Sequence, residues 1–351
     1  MDDLRHGEPL APRTTLGLGG PAEHFLEARE STQLEAALRW AKEAAQAVTV
    51  LGGGSNAVVP DAGVLGLVLD VATRGLAFAK EGERVRVTAQ AGEDWGAFVD
   101  RMVEEELAGL ECLAGIPGRV GATPIQNVGA YGQEVAETID RVRVVDRRTG
   151  ERRELAPEDC AFAYRDSMFK RDLGRWLVLE VDFLLTPGGA PALRYAELEK
   201  NAPPVPTLAS VKETVVALRR RKSMVLDPAD PNTRSAGSFF TNPILPNDEA
   251  ARAIEAAVRA GVVEAPEAVP RWPVGEARTK LAAGWLIERA GFAKGTRRGA
   301  VGLSTKHALA LVHHGGGTTA ELLAFAEEIV AGVRARFGVT LEREPRLLGV
   351  D

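Results

Sequence analysis

The sequence predicts a mixed α+β protein, not a regular alternation of strand and helix. Segments with helical periodicity and segments with strand alternation follow one another in irregular order. The glycine-rich stretch after AVTVLG runs into Pro60, Asp61, Gly63 and a further strand, so no helix opens behind it. Near residue 225 a strand-rich pattern gives way to helix, helix, strand, helix and strand.

Taken in order, STQLEAALRWAKEAAQ reads as a helix with a serine cap, flanked by the short apolar strands AVTVLG and VLGLVLD. RVRVTAQAG alternates as a strand. In EDWGAFVDRMVEEELAG, Trp95, Phe98, Val99, Met102 and Val103 fall on one helical face. IDRVRVVDRRTGERREL reads as a hairpin turning at Thr149 and Gly150, and RWLVLEVDFLL as another strand. The helix TLASVKETVVALRRRK ends in the loop SMVLDPADPNTRSAG, where a domain boundary is expected. Beyond it come helices in NDEAARAIEAAVRAG and EARTKLAAGWLIERAG, a strand in HALALVHH, the helix TTAELLAFAEEIVAGVRARFG and a strand in VTLEREPRLLG.

With 351 residues the chain is long enough for two or three domains. Its 45% hydrophobic and 26% charged content are those of a globular protein. A net charge of −6 argues against a broad nucleic-acid footprint but leaves room for a local basic pocket holding a small anion. No apolar run is long enough to span a bilayer, and the first residues lack the basic-then-apolar order of a signal peptide. Cys112 and Cys160 form no CxxC pattern, and the five histidines show no metal-ligand spacing. A cytoplasmic protein without a disulfide or metal is expected.

Several segments carry chemistry. In VLGGGSNAVVPDAG, three glycines let backbone N–H groups approach an anion, so the stretch is either a plain turn or a phosphate cradle. LAGIPGRVGATPIQNVGAYGQEV scatters glycines among apolar residues and has few charges, which marks a semi-buried loop rather than a linker. Gln126 and Asn127 are placed to read a heteroaromatic edge. AYRDSMFKR offers Arg165 beside an aromatic. ALRRRK closes a helix with cations that either complement the dipole or bind phosphate. HHGGG imitates the oxyanion stretch of some esterases, but the chain has no G-x-S-x-G elbow. SAGSFFTNP sets Ser238 between a glycine and two phenylalanines. Glu342 and Glu344 share one side of the terminal strand, opposite Leu341 and Arg343.

In their order and spacing, GLGGPAEHFLEA, LGGGSNAVVPD, AGIPGRVGATPIQNVGAYGQEV, YRDSMFK, AGSFFTNP, KLAAGWLIERAG and LEREPRLLG resemble the UDP-N-acetylenolpyruvoylglucosamine reductase family from about Arg13 onward. Tyr195 in LRYAEL points to its loop-bearing type I subclass. The resemblance implies a non-Rossmann FAD-binding fold of the vanillyl-alcohol oxidase (PCMH) type followed by a C-terminal α/β substrate-binding domain. Residues 1–225 would bind FAD in two subdomains, about 1–74 and 75–225. Residues 226–340 would bind substrate, and 341–351 would return to the active site as a strand.

The resemblance also implies NADPH as reductant, UDP-N-acetylenolpyruvoylglucosamine as substrate, and a cytoplasmic monomer that makes a peptidoglycan precursor. Hydride would pass from NADPH to FAD and from flavin N5 to the enolpyruvyl β-carbon. FAD contacts map onto Gly52, Gly53, Gly54, Ser55 and Asn56, and onto Ile116, Pro117, Gly118, Gly121, Ala122, Gln126 and Asn127. Arg165 maps as the partner of the substrate carboxylate, Glu344 sits across it, and Ser238 is the proton donor to the α-carbon. Tyr195, Arg219, Lys222 and Asn242 map to the nucleotide. Pro345 and Arg289 depart from the family pattern, Pro345 by restricting Glu344 to extended backbone.

Overall fold

In the computed structural model, which describes residues 3–349, Arg5–Pro9, Pro21–Ala28, Val64–Val71 and Val48–Leu51 form a four-stranded sheet in that order. The first pair is antiparallel and the other two are parallel. Val64–Val71 is buried at every position but Leu65, as a strand covered on both faces must be. The crossover helix Ser31–Glu43 turns Leu34, Ala37 and Ala41 inward. Ser31 is its first helical residue rather than its cap. Glu30 holds that position, and the Gln33 side chain accepts from the N–H groups of Arg29 and Glu30.

A second, antiparallel sheet runs Arg152–Leu155, Ile139–Asp146, Trp176–Pro187, Arg84–Gln90, Leu76–Glu81, with Leu107–Ala108 paired to one end of Trp176–Pro187. The expected hairpin is present, with Gly150 at φ +81° in its turn. The helix Trp95–Glu104 is capped by the Asp94 carboxylate and buries the five residues its periodicity selects. Trp95, Phe98 and Phe183 pack their rings together within the first large core.

The part beyond the helix Leu208–Arg221 has its own core, built on Phe239, Phe240, Leu322, Phe325 and Ile329. Leu16, Leu18 and Val58 join that core from the other side. Asn247–Arg259 and Thr319–Phe337 are helices as expected, the latter ended by Gly338 in the left-handed conformation.

Three expectations fail here for tertiary reasons. EARTKLAAGWLIERAG is not one helix: Arg278–Leu281 is the middle strand of a three-stranded sheet, and only Ala283–Arg289 is helical. Partners on both edges, Ile244–Pro246 and Arg271–Val274, decide that outcome over helical propensity. HALALVHH contributes only Leu311–His313 as strand, paired with Val301–Leu303.

VTLEREPRLLG is extended, but only Arg346–Leu347 forms a strand, parallel to Ala57–Val58. Pro345 has no N–H to continue a ladder, and the segment changes partners around it. Thr241 N–H donates to the Glu342 carbonyl and Glu344 N–H to the Phe239 carbonyl. Arg346 and Leu348 N–H groups then donate to the carbonyls of Asn56 and Val58. Glu342 stays exposed while Glu344 turns inward. Val350 and Asp351 of the expected segment lie outside the described residues.

Candidate active site

The loop 52–56 leaves the strand Val48–Leu51 along a path that only small residues permit. Gly54 has φ +64°, and a Cβ there would lie 2.0 Å from the Arg13 carbonyl oxygen. A Cβ on Gly53 would lie 2.7 Å from Gly118 Cα, so the two glycine loops meet backbone to backbone. Ser55 Oγ donates to the Pro117 carbonyl at 2.9 Å, and Asn56 Nδ2 to Gln126 Oε1 at 2.7 Å. Among the described residues, the N–H groups of Gly53, Gly54, Ser55, Asn56, Gly118 and Arg119 have no acceptor. Unpaired amides gathered along one wall suit an anion.

These loops wall a cavity of about 280 Å³. Gly52, Gly53, Gly54, Ser55, Asn56, Ile116, Pro117, Gly118, Ala122, Gln126, Arg165, Arg219, Ser238 and Glu344 all line it, alongside the apolar Val50, Leu51 and Trp95. Arg165 takes φ +54°, a conformation non-glycine residues enter at a cost, and its side-chain and carbonyl hydrogen bonds hold it there. Its Nη2 donates to the Gly129 carbonyl at 2.5 Å and Nη1 to the Asn127 carbonyl at 3.3 Å. Its Nε lies 3.4 Å from Glu344 Oε1. Lys170 Nζ donates to the Arg165 carbonyl at 2.8 Å, and Ser167 caps the short helix Met168–Arg171 behind it.

Burial pushes the Glu344 carboxyl above its ordinary pKa, against the pull of Arg165 and Lys170. Burial lowers Arg219 to about 10. Arg219 Nη2 donates to the Met224 carbonyl at 2.8 Å, while its buried Nε has no hydrogen-bond partner among the described residues. A buried guanidinium with an unmet donor on a cavity wall is a place for an acceptor, preferably anionic. Ser238 follows Gly237 at φ +71°, and its hydroxyl has no partner among the described residues. Phe239 and Phe240, both buried, anchor the loop from behind in an edge-to-face pair 5.4 Å apart.

Five expected site residues stand elsewhere. Gly121 packs against Ala91, where a Cβ would come within 2.5 Å of the alanine Cβ. Asn127 is buried under its loop; its amide donates to Glu134 and the Ala163 carbonyl and accepts from Ala136 N–H. It braces the loop and has no edge free to read a heteroaromatic ring. Asn242 Oδ1 accepts from Ala283 N–H at the start of the helix Ala283–Arg289, and its Nδ2 donates to Tyr164 Oη at 3.3 Å. Lys222 is paired with Glu197 at 2.6 Å. Tyr195 is half-exposed, with its ring edge against Tyr131 at 5.5 Å. Arg289 is exposed and does not line the cavity.

HHGGG is no oxyanion hole. His313 is buried, its Nδ1 3.1 Å from the Leu16 carbonyl, and its Nε2 accepts from Gly317 N–H. The helix behind it gives its first N–H groups, Thr319 and Ala320, to the Asp61 carboxylate. Two wall cations escaped the sequence reading, Arg119 and Arg346. For Arg119 a signal existed: a lone cation inside a glycine-rich loop otherwise poor in charge.

Open amides, a buried cation with a free donor and apolar walls together fit the pyrophosphate and ring system of a flavin dinucleotide. Residues 22–156 match the model of an FAD binding domain, and residues 230–348 match the C-terminal domain of UDP-N-acetylenolpyruvoylglucosamine reductase. The reductase of that name from Thermobifida fusca is 51% identical, over 97% of this chain and 97% of its own. The one from Mycobacterium tuberculosis is 45% identical, over 97% and 94%. The crystal structure of the enzyme from Thermus caldophilus superposes with a TM-score of 0.65 at 24% identity, over 98% of this chain and 99% of that one. The chain is thus a member of the UDP-N-acetylenolpyruvoylglucosamine reductase family, with an FAD-binding fold of the PCMH type followed by that family's C-terminal domain.

Proposed function

We propose that the chain reduces UDP-N-acetylenolpyruvoylglucosamine to UDP-N-acetylmuramate for peptidoglycan synthesis in the cytoplasm, using FAD and NADPH. The observation that carries this reading is the convergence of Arg165, Glu344 and Ser238 on the cavity walled by the glycine loops. Bound there, FAD would supply the transfer of hydride from NADPH to the β-carbon of the enolpyruvyl ether.

Charge then grows at the α-carbon and spreads into the adjoining carboxylate. The Arg165 guanidinium, fixed by two backbone carbonyls, is preorganised against that charge. Glu344, whose carboxyl pKa burial raises against the pull of Arg165 and Lys170, faces the same oxygen atoms and donates a hydrogen bond to them in its protonated form. Ser238 Oγ gives its proton to the α-carbon from one face and is reprotonated from solvent. Arg219 and the open amides take the flavin and nucleotide phosphates. The family pattern assigns Lys222, Tyr195 and Asn242 to the UDP subsite, although none of them lines the cavity and Lys222 is paired with Glu197. The two large cores, the second joined by Leu16, Leu18 and Val58 from the first part of the chain, support a division near residue 225 with most of the cofactor contacts before it.

Purified protein should be yellow, and its flavin should be bleached by NADPH and recoloured by the enolpyruvyl sugar nucleotide. Ser238→Ala should keep the first half-reaction and lose the second, as measured by stopped-flow absorbance. Equal loss of both would sink the assignment of Ser238.

A further inference from the structure

Asp70 is 2% exposed, near the end of the strand Val64–Val71, and it touches no part of the cavity. Its Oδ1 accepts from Arg119 Nη1, which also donates to the Val71 carbonyl. Its Oδ2 lies 3.4 Å from Arg13 Nη1. Each arginine belongs to the support of a different glycine loop. The backbone of Arg13 is the floor under 52–56: its carbonyl faces Gly54, and the nearby Thr15 N–H donates to the Gly54 carbonyl at 3.2 Å. Arg119 directly follows Gly118, whose Cα abuts Gly53.

Asp70 is also paired in the sheet with Leu51, the residue before Gly52. One buried carboxylate therefore gathers the supports of both loops that carry open amides. Two guanidiniums neutralise it, so it presents no free negative charge to a phosphate.

We propose that Asp70 is a positioning residue for the dinucleotide, setting the spacing of the two amide-bearing loops through Arg13 and Arg119. The inference rests on the reading of the cavity as an FAD site. Arg13 tests it best, because its side chain is a quarter exposed and lines no part of the cavity.

Apo-protein of the native chain, Asp70→Asn and Arg13→Met would be titrated with FAD by flavin fluorescence, and the heat-induced unfolding of each apo-protein followed. Both variants should bind FAD about tenfold more weakly, equivalent to about 1.4 kcal/mol of lost positioning. Arg13→Met should leave the unfolding temperature of the apo-protein close to native. A native FAD affinity in folded Arg13→Met overturns the proposal, whatever becomes of Asp70→Asn. A lowered unfolding temperature with unchanged affinity also overturns it, because it marks a purely structural ion pair. If the native chain itself binds no FAD, the reading of the site fails, and the inference fails with it for that separate reason.

Discussion

Arg165 shows how much of this site is decided by single donors. Its guanidinium serves two backbone carbonyls and one carboxylate at once, which a lysine ammonium cannot reproduce with planar, fork-like geometry. Arg165→Lys should slow substrate-dependent flavin reoxidation about a hundredfold, the scale of losing one preorganised stabiliser of developing charge. Reduction by NADPH should change little in the same stopped-flow traces.

Glu344 adds a pH signature. Its raised pKa means the protonated donor survives to higher pH than on an exposed glutamate. Reoxidation should therefore be flat in acid and fall as pH rises through that raised value. Glu344→Gln, a permanent donor, should abolish the limb. Stability carries the same sign. The folded chain holds this proton more tightly than the unfolded one, so the contribution is full below the ordinary carboxylate range and is lost as pH rises through the raised pKa.

At the level of elements, the loops do the work and the glycines make them possible. Gly54→Ala would force a left-handed φ on alanine and drive a Cβ into the Arg13 carbonyl. It should purify with a flavin-to-protein ratio well below native. Phe239 is fully buried behind the Ser238 loop. Phe239→Ala should cost about 3–5 kcal/mol in urea-induced unfolding.

Elements whose burial is set along their own length were legible in the sequence. The helix Trp95–Glu104 turned inward the five residues its periodicity named. Elements decided by distant partners were not. Arg278–Leu281 carries no strand signal strong enough to stand against the helical pattern around it, and only the flanking strands make it one. The same limit governs the site. Arg165, Ser238 and Glu344 were picked out by the resemblance to the family, and the fold brings all three to the wall of one cavity. Arg119 stands out as a lone cation in its glycine loop, but its pairing with Asp70, forty-nine positions away, was not legible. Asn127, polar in a glycine loop, gave no sign that Glu134 and the Ala163 carbonyl would claim its amide.

Across the whole molecule, no helix of the described residues is long and apolar enough to cross a membrane. The two halves meet at the cavity, and the segment 342–348 stitches them. It bonds to Phe239 and Thr241 on one side and to Asn56 and Val58 on the other. A chain ending at Leu341 should keep both large cores but lose turnover, since Glu344 and the stitch go together. Circular dichroism and NADPH oxidation measured side by side would separate the two effects.

That stitch also fixes a timetable. A chain leaving the ribosome presents the glycine loops and Arg165 early. The inward-facing carboxylate arrives more than a hundred residues after Ser238's loop begins, behind the helix Thr319–Phe337. Until that stretch has emerged and crossed back to Asn56, the Arg165 guanidinium stands without the Glu344 carboxyl beside it. On the proposed reading, turnover therefore waits for a single late step of synthesis.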